Sequence, residues 1–184
     1  MAGQSRKQAI LDRAVELASV DGLEGLTIGT LASDLGLSKS GLFGHFGSKE
    51  DLQLATVDRA AQRFVRDVVE PAAGAAEGRP RLRALCERYL DHLETRALPG
   101  GCFWAGAMAE FDTRLGPVHD AVRTAVAAWL AELERHARLA GYDDPAQLVF
   151  ELQSLVQGAN ANYQLLGDPE AFSRARAAVE RRLG

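Results

Sequence analysis

The chain has 184 residues, 47% of them hydrophobic and 25% charged, with a formal net charge of −4. That length suits one or two compact domains, and the balance supports a packed core and excludes a disordered chain. Aromatic residues make up only 7%, and the dominance of Ala, Leu and Arg favours helices over sheets.

Apolar residues fall at helical spacing almost throughout. Ile10, Ala14, Leu17 and Ala18 predict a first amphipathic helix ended by Asp21-Gly22. Thr27 is an N-cap for a short helix from Ile28 to Leu35, and Gly36 breaks the chain. Ser38 caps a second short helix, Lys39 to Phe46. Ser48 and Asp51 have the spacing of a capping box, with Asp in place of Glu, and open a long helix that stops at Val69, before Pro71. Residues 71–78 (PAAGAAEG) read as a linker loop. Pro80 sits in the first turn of a helix reaching Arg96, and a short apolar helix covers Phe103 to Phe111. Gly116-Pro117 opens a helix to Leu139, Asp144-Pro145 one to Leu166, and Asp168-Pro169 a last one to Arg182. The reading is all-α: about nine helices, with a three-helix head over 1–48 and a six-helix body over 49–184.

Residues 1–50 carry five Lys or Arg against six Asp or Glu, so the head is not basic on average, yet all three lysines of the chain lie in it. Any grip on DNA there rests on a few placed cations and backbone amides. Two cysteines, Cys86 and Cys102, make no disulfide framework. The N-terminal stretch lacks the pattern of a signal peptide, and no run of about 18 apolar residues offers a membrane span. A cytoplasmic protein without membrane contact is expected, with reduced thiols and no cofactor.

The informative stretch is TIGTLASDLGLSKSGLFGHFGSKED, Thr27 to Asp51. Two short helices flank a tight turn at Gly36, which supplies the permissive backbone. Leu31, Ala32, Leu35, Leu37 and Leu42 can face one small core. This is a helix-turn-helix plan, whose second helix enters the major groove. With the helix Ile10 to Val20, Thr27-Ile28, Leu31-Ala32, Gly36-Leu37-Ser38, Leu42-Phe43, His45-Phe46 and Ser48 to Leu52, the stretch resembles the tetracycline-repressor (TetR) family of bacterial regulators over about 45 residues. The rest of the chain resembles that family in helical layout only.

The resemblance implies roles. Thr27 and Ser38 would cap their helices and offer hydroxyls and amides to phosphates, since helix N-termini suit anions. Lys39, Ser40 and Gly41 would lie against base edges. His45 and Lys49 would contact phosphates. Phe43 stands where the family often has Tyr, so a phenolic hydrogen bond to phosphate is lost. Gly41 and Gly44 are bare, which leaves backbone contacts, thymine-methyl contacts and DNA shape to share specificity. The resemblance also implies a homodimer on double-stranded operator DNA, paired through the last two helices, and a repressor released by a small effector. A two-fold dimer reads two half-sites together.

In the body, the helix from Pro145 is apolar on more than one face, which suggests a second interface. Candidate dimer residues are Leu148, Leu152, Leu155, Ala159 and Tyr163 on that helix, and Phe172, Ala175 and Val179 on the last. Phe64, Tyr89, Leu93, Phe103, Trp104, Met108, Phe111 and Trp129 are candidates for a pocket taking a small apolar or amphipathic effector, with Gln157 and Asn160 as orienting hydrogen-bonders. Each of these aromatics also reads as plain core, and the two amides equally as bonds across a dimer. Cys102 reads as a buried structural thiol sooner than a redox sensor, since nothing basic sits beside it. The histidines group with no Ser/His/Asp set or metal spacing, so an enzyme is not expected. An effector-independent DNA binder on the same fold remains the alternative.

Overall fold

A computed structural model describes residues 2–184, with side chains from residue 6 onward. Among the described residues nine helical segments follow one another: α1 (Ala2–Gly25), α2 (Ile28–Asp34), α3 (Lys39–Phe46), α4 (Lys49–Phe64, running on through a π turn at Val65–Val69 and a last turn at Glu70–Ala72), α5 (Arg79–Glu94), α6 (Phe103–Phe111), α7 (Pro117–Leu139), α8 (Pro145–Leu166) and α9 (Ala171–Leu183). Among the described residues there is no strand, as expected of an all-α chain.

The chain divides into two compact units. One contains residues 1–63 and 98–125, the other 64–97 and 126–184. In the first, α1 is the spine. It buries Ile10, Leu11, Ala14, Val15 and Ala18 and breaks at Gly22, whose φ of 77° ends the regular helix where Asp21-Gly22 predicts. Arg59 on α4 grips Asp12 on α1 with two bonds, 2.9 and 2.7 Å. Arg13 on α1 holds Asp34 at the end of α2, also with two bonds, 2.7 and 2.8 Å. Such forked guanidinium–carboxylate pairs fix geometry as well as charge.

In the second unit, Leu82, Leu85 and Cys86 of α5, Leu133 and Ala137 of α7, Leu148, Val149 and Leu152 of α8, and Val179 and Leu183 of α9 make one core. Arg176 on α9 reaches Glu87 at 3.1 Å, Asp91 at 2.7 Å and Glu94 at 2.7 Å on α5. Burial of the Cys86 thiol among these side chains pushes its pKa up to about 12, which marks it as inert packing.

In the body, three boundaries differ from expectation by two residues or more. The long helix does not stop at Val69 but stays helical through Pro71 to Ala72. The π turn just before Pro71 accounts for this. In a π turn each amide bonds five residues back, as Glu70 N–H does to Val65 O. The widened turn eases the clash of a proline ring with the carbonyl four residues earlier. The loop is therefore only 73–78, where Arg81 ties down the Ala73 and Ala75 carbonyls. Asp168 instead closes a turn ahead of the helix, accepting from Glu170 N–H at 3.0 Å, and α9 starts at Ala171 with Glu170 as its N-cap. Finally, α5 ends at Glu94, two residues short of Arg96.

Candidate nucleic-acid interface

The turn between α2 and α3 is built from backbone. Leu37 N–H donates to Ala32 O at 2.9 Å and Gly36 N–H to Ser33 O at 3.3 Å, with Gly36 at φ 63°. This pair of bonds closes a helix C-terminus through a left-handed residue, which is why glycine stands there. Leu31, Ala32 and Leu42 are buried in the small core, while Leu35 and Leu37 are half-buried.

Both helix starts are capped by hydroxyls. Thr27 Oγ1 accepts from Thr30 N–H at 3.0 Å, and Thr30 Oγ1 accepts from Thr27 N–H at 2.9 Å. The cap at Thr27 is thus reciprocal, a role for Thr30 that the Thr-x-x-Thr spacing signals and that sequence reasoning missed. Ser38 Oγ accepts from Gly41 N–H at 3.2 Å. A Cβ on Gly41 would lie 3.1 Å from that same oxygen, so the bare position protects the cap. Gly44 has open space around it. At the start of α4, Asp51 N–H donates to Ser48 Oγ at 3.0 Å, and the hydroxyl donates back to Asp51 Oδ2 at 2.6 Å. The shorter Asp meets the hydroxyl, where Glu would reach the backbone.

The outer face of α3 is uncovered. Only Leu42 and Phe46 turn inward; Lys39, Ser40, Gly41, Phe43, Gly44 and His45 are exposed. Phe43 is 58% exposed, unusual for a phenylalanine in a folded head. Thr27, Ile28, Gly29, Lys39, Ser40, Phe43 and Lys49 line one surface groove of about 580 Å³. The structure therefore brings together five of the eight expected DNA residues: Thr27, Lys39, Ser40, Phe43 and Lys49. Ser38 and Gly41 stand beside the groove as the cap pair. His45 lies one turn further along α3, outside the groove lining. Ile28 and Gly29 are additions, and Gly29 has a steric role: a side chain there would press on the Lys39 stem, whose Cε would stand 3.2 Å away.

Lys49 is not a free cation. Its Nζ donates to Glu24 Oε2 at 3.0 Å. The bond to Lys49, then that from Gln53, holds the Glu24 carboxyl below the usual range. Glu24 escaped sequence reasoning because it lies 25 residues from Lys49 and belongs to no local motif.

The expected pocket residues fall into two groups. In the second unit, Phe64, Tyr89 and Trp129 form a triad with ring centroids 4.9, 5.0 and 5.5 Å apart, each pair close to perpendicular. Edge-to-face pairs of this kind add to simple burial. Trp129 Nε1 donates to Gln153 Oε1 and Gln157 Nε2 to the Tyr89 hydroxyl, both at 3.1 Å. Leu93 and Asn160 are buried in the same unit. Phe103, Trp104, Met108 and Phe111 belong to the first unit, where Phe103 and Trp104 pack edge to face at 5.1 Å. Cys102 is buried and caps α6, its Sγ accepting from Ala105 N–H at 3.4 Å. Among the described residues, no group of three or more His, Cys, Asp or Glu is placed to hold a metal, and no helix is long and apolar enough to cross a membrane.

The expected dimer residues divide by burial. Leu148, Leu152, Ala159, Phe172, Ala175 and Val179 are buried within a single chain. They are used up packing α8 and α9 against each other and against α5. Leu155 and Tyr163 are half-buried, Tyr163 lying between Phe172 at 5.0 Å and the Arg96 guanidinium at 5.3 Å. The apolar side chains left outside are Phe150, Leu165 and Leu166, at 68%, 84% and 70% exposure.

Residues 10–56 match the family described as bacterial regulatory proteins, tetR family, and residues 78–179, more than half the chain, match the tetracyclin repressor-like C-terminal domain. A transcriptional activator from Mycolicibacterium smegmatis, FasR, is 32% identical over 89 residues, 48% of this chain and 41% of that protein. The chain spans about half or less of the length of the curated relatives it matches. A TetR regulator from Chloroflexus aurantiacus superposes with a TM-score of 0.85 at 24% identity, covering 98% of this chain and 94% of that one. AibR, solved with isovaleryl coenzyme A and operator DNA, superposes at 0.76 with 21% identity, covering 96% and 97%. At these identities the likeness to the two solved structures is one of fold. Because the second of these matches covers more than half of the chain, the chain belongs to the TetR family of bacterial transcriptional regulators.

Proposed function

We propose that the protein is a homodimeric repressor that grips a palindromic operator through α3 and is released by a small effector held in its body. The observation that carries this reading is the wholly exposed outer face of α3, set beside a groove lined by both Lys39 and Lys49. An uncovered helix flanked by two cations and two capped N-termini suits a phosphate backbone and a base edge together. The head is not basic, so one copy binds weakly, and a two-fold pair supplies the missing affinity. The exposed Phe150 and Leu165, on the same side of α8, supply a face for that second copy. A groove of about 480 Å³ lined by Phe150, Ser154, Leu155, Ala178, Arg181 and Arg182 adjoins it.

For the effector, the triad of Phe64, Tyr89 and Trp129 offers an apolar or amphipathic molecule aromatic walls, with Gln153 and Gln157 as hydrogen-bonding groups. Phe64 is the last residue of α4 before its π turn, and such turns recur at functional sites. AibR binds an acyl-coenzyme A and an operator on the same fold, which supports a linked pair of ligands here. A ligand that favours a conformer with misplaced heads lowers DNA affinity, and DNA lowers ligand affinity by the same factor.

In vitro selection of bound DNA tests the operator reading. The expected product is a palindrome whose half-sites lie about one helical turn, 34–36 Å, or a multiple apart. Selection that enriches no sequence would sink it. Titration of that site with candidate effectors then separates a sensor from an effector-independent binder, which no compound would release. Transcription from a template carrying the site separates repression from activation, the role FasR is named for.

A further inference from the structure

Glu24, at the end of α1, is met by four groups. Its Oε2 accepts from Lys49 Nζ at 3.0 Å and also lies 3.6 Å from an Arg114 guanidinium nitrogen. Its Oε1 accepts at 3.3 Å from Gln53 Nε2, which donates at 2.7 Å to the Leu23 carbonyl. Its backbone N–H donates to Glu110 Oε2 at 3.2 Å. Gln53 is buried, so its amide is a fixed post, and Glu110 fixes the backbone. One carboxylate oxygen is thus shared by two cations. One of them, Lys49, lines the groove on α3; the other, Arg114, stands in the stretch between α6 and α7.

We infer that Glu24 is a charge-exchange node: it neutralises Lys49 in the free head and is handed to Arg114 when Lys49 turns to a DNA phosphate. The inference rests on the operator reading above. An ammonium 3.0 Å from a carboxylate presents little net field to a third charge. A phosphate must therefore draw Lys49 away from Glu24. Left alone, the carboxylate would lose its strongest partner. Arg114 removes that penalty because it already stands at the same oxygen. The position of the stretch between α6 and α7 then sets how much of the Lys49 charge reaches DNA, and Glu24 and Arg114 act as positioning residues that need not touch the duplex.

The test is a set of titrations on a selected operator at fixed salt. Glu24→Gln should tighten binding about two- to fivefold, the range set by single exposed ion pairs. Arg114→Ala should weaken it by a similar factor. In the Glu24→Gln background, Arg114→Ala should have no effect, because there is no carboxylate left to take over. Lys49→Ala should erase the gain from Glu24→Gln. If Glu24→Gln does not fold, the same logic runs through Lys49: in a Lys49→Ala background, Arg114→Ala should be silent. Equal weakening by Arg114→Ala in every background would mean that Arg114 meets DNA itself, and would overturn the node while leaving operator binding intact. So would an unaltered affinity on Glu24→Gln. A wild-type protein that binds no DNA sequence preferentially would overturn the operator reading and the node with it.

Discussion

Gly100 stands against the backbone of Ser19 so closely that a Cβ on it would lie 1.8 Å from the Ser19 carbonyl oxygen. The Gly100 N–H also donates to Ser19 Oγ at 3.1 Å. Gly22 stands in a matching relation to Glu110, whose carboxylate would meet an added Cβ at 1.6 Å. The end of α1 and the segment leading through α6 are therefore joined at two glycines, one on each side. The partner of Gly22 is a flexible side chain that can swing aside. The partner of Gly100 is backbone and cannot.

Gly100→Ala should therefore destabilise the fold by about 1–3 kcal/mol, the cost of overpacking a site that cannot relax. The contrast is Gly106→Ala on the exposed side of α6, where nothing lies within 4 Å of the new methyl. That change should stabilise by up to about 1 kcal/mol through helix propensity. Urea midpoints of the two variants check both signs. A Gly100→Ala protein as stable as wild type would mean that this contact opens at no cost.

Much of the head was legible because its signals are local. Thr27, Ser38 and Gly36 are punctuation read over three or four residues, and α2 and α3 begin where the caps predict. Lys39, Ser40, Phe43 and Lys49 were legible together because they lie close in sequence, on α3 and at the start of α4. What escaped was long-range pairing. Glu24 with Lys49, and Glu110 with the Glu24 amide 86 residues away, have no spacing to betray them. The body failed differently. Helical periodicity shows that α8 is apolar on several faces, but not which face meets its own chain. Leu148 and Leu152, expected at a dimer face, are buried within one chain, and Phe150, which was not in the expected set, is exposed.

The dimer prediction now separates those faces. If the protein is the homodimer proposed above, Phe150→Asp with Leu165→Asp should give a folded monomer, seen as a halved mass in sedimentation, because both side chains are exposed in one chain. Leu148→Ala, fully buried, should instead cost about 2–5 kcal/mol of folding stability with no direct effect on assembly. A double variant that keeps the mass of wild type would place the dimer face elsewhere.

The aromatic triad gives a third comparison. Tyr89→Phe keeps the ring against Phe64 and Trp129 and removes the hydroxyl that accepts from Gln157. Its cost should be about 1 kcal/mol, the net worth of one hydrogen bond. Tyr89→Ala removes the ring as well and should cost about 3–5 kcal/mol, as for a buried aromatic. If an effector uses the triad, Tyr89→Phe should also alter the effector concentration needed to release operator DNA. A variant with an unshifted release curve would exclude the Tyr89 hydroxyl from that site.

His136 gives the chain a pH dependence of definite sign. The side chain is fully buried, and its Nδ1 accepts from the Gly78 N–H at 3.2 Å. An acceptor Nδ1 puts the ring proton on Nε2, which faces Glu132 at 3.1 Å with an Arg135 nitrogen at 2.8 Å. Protonation would set a second N–H against the Gly78 N–H. Burial, then the charge of Arg135, lowers the His136 pKa below its ordinary 6.5; Arg81 adds to this, while Glu132 opposes it. The unfolded chain thus takes up a proton before the folded one. The associated stability is present above pH 6.5 and is lost as pH falls through the folded pKa. The nearby Glu77 and Glu132 are lowered below their ordinary 4.5, so their losses begin at more acid pH and leave the histidine window clear. Urea unfolding between pH 8 and pH 5 should show wild type weakening, and His136→Asn, whose amide oxygen can still accept from Gly78, weakening less. Parallel curves for the two proteins would mean that His136 takes up its proton in the folded state as readily as in the unfolded one.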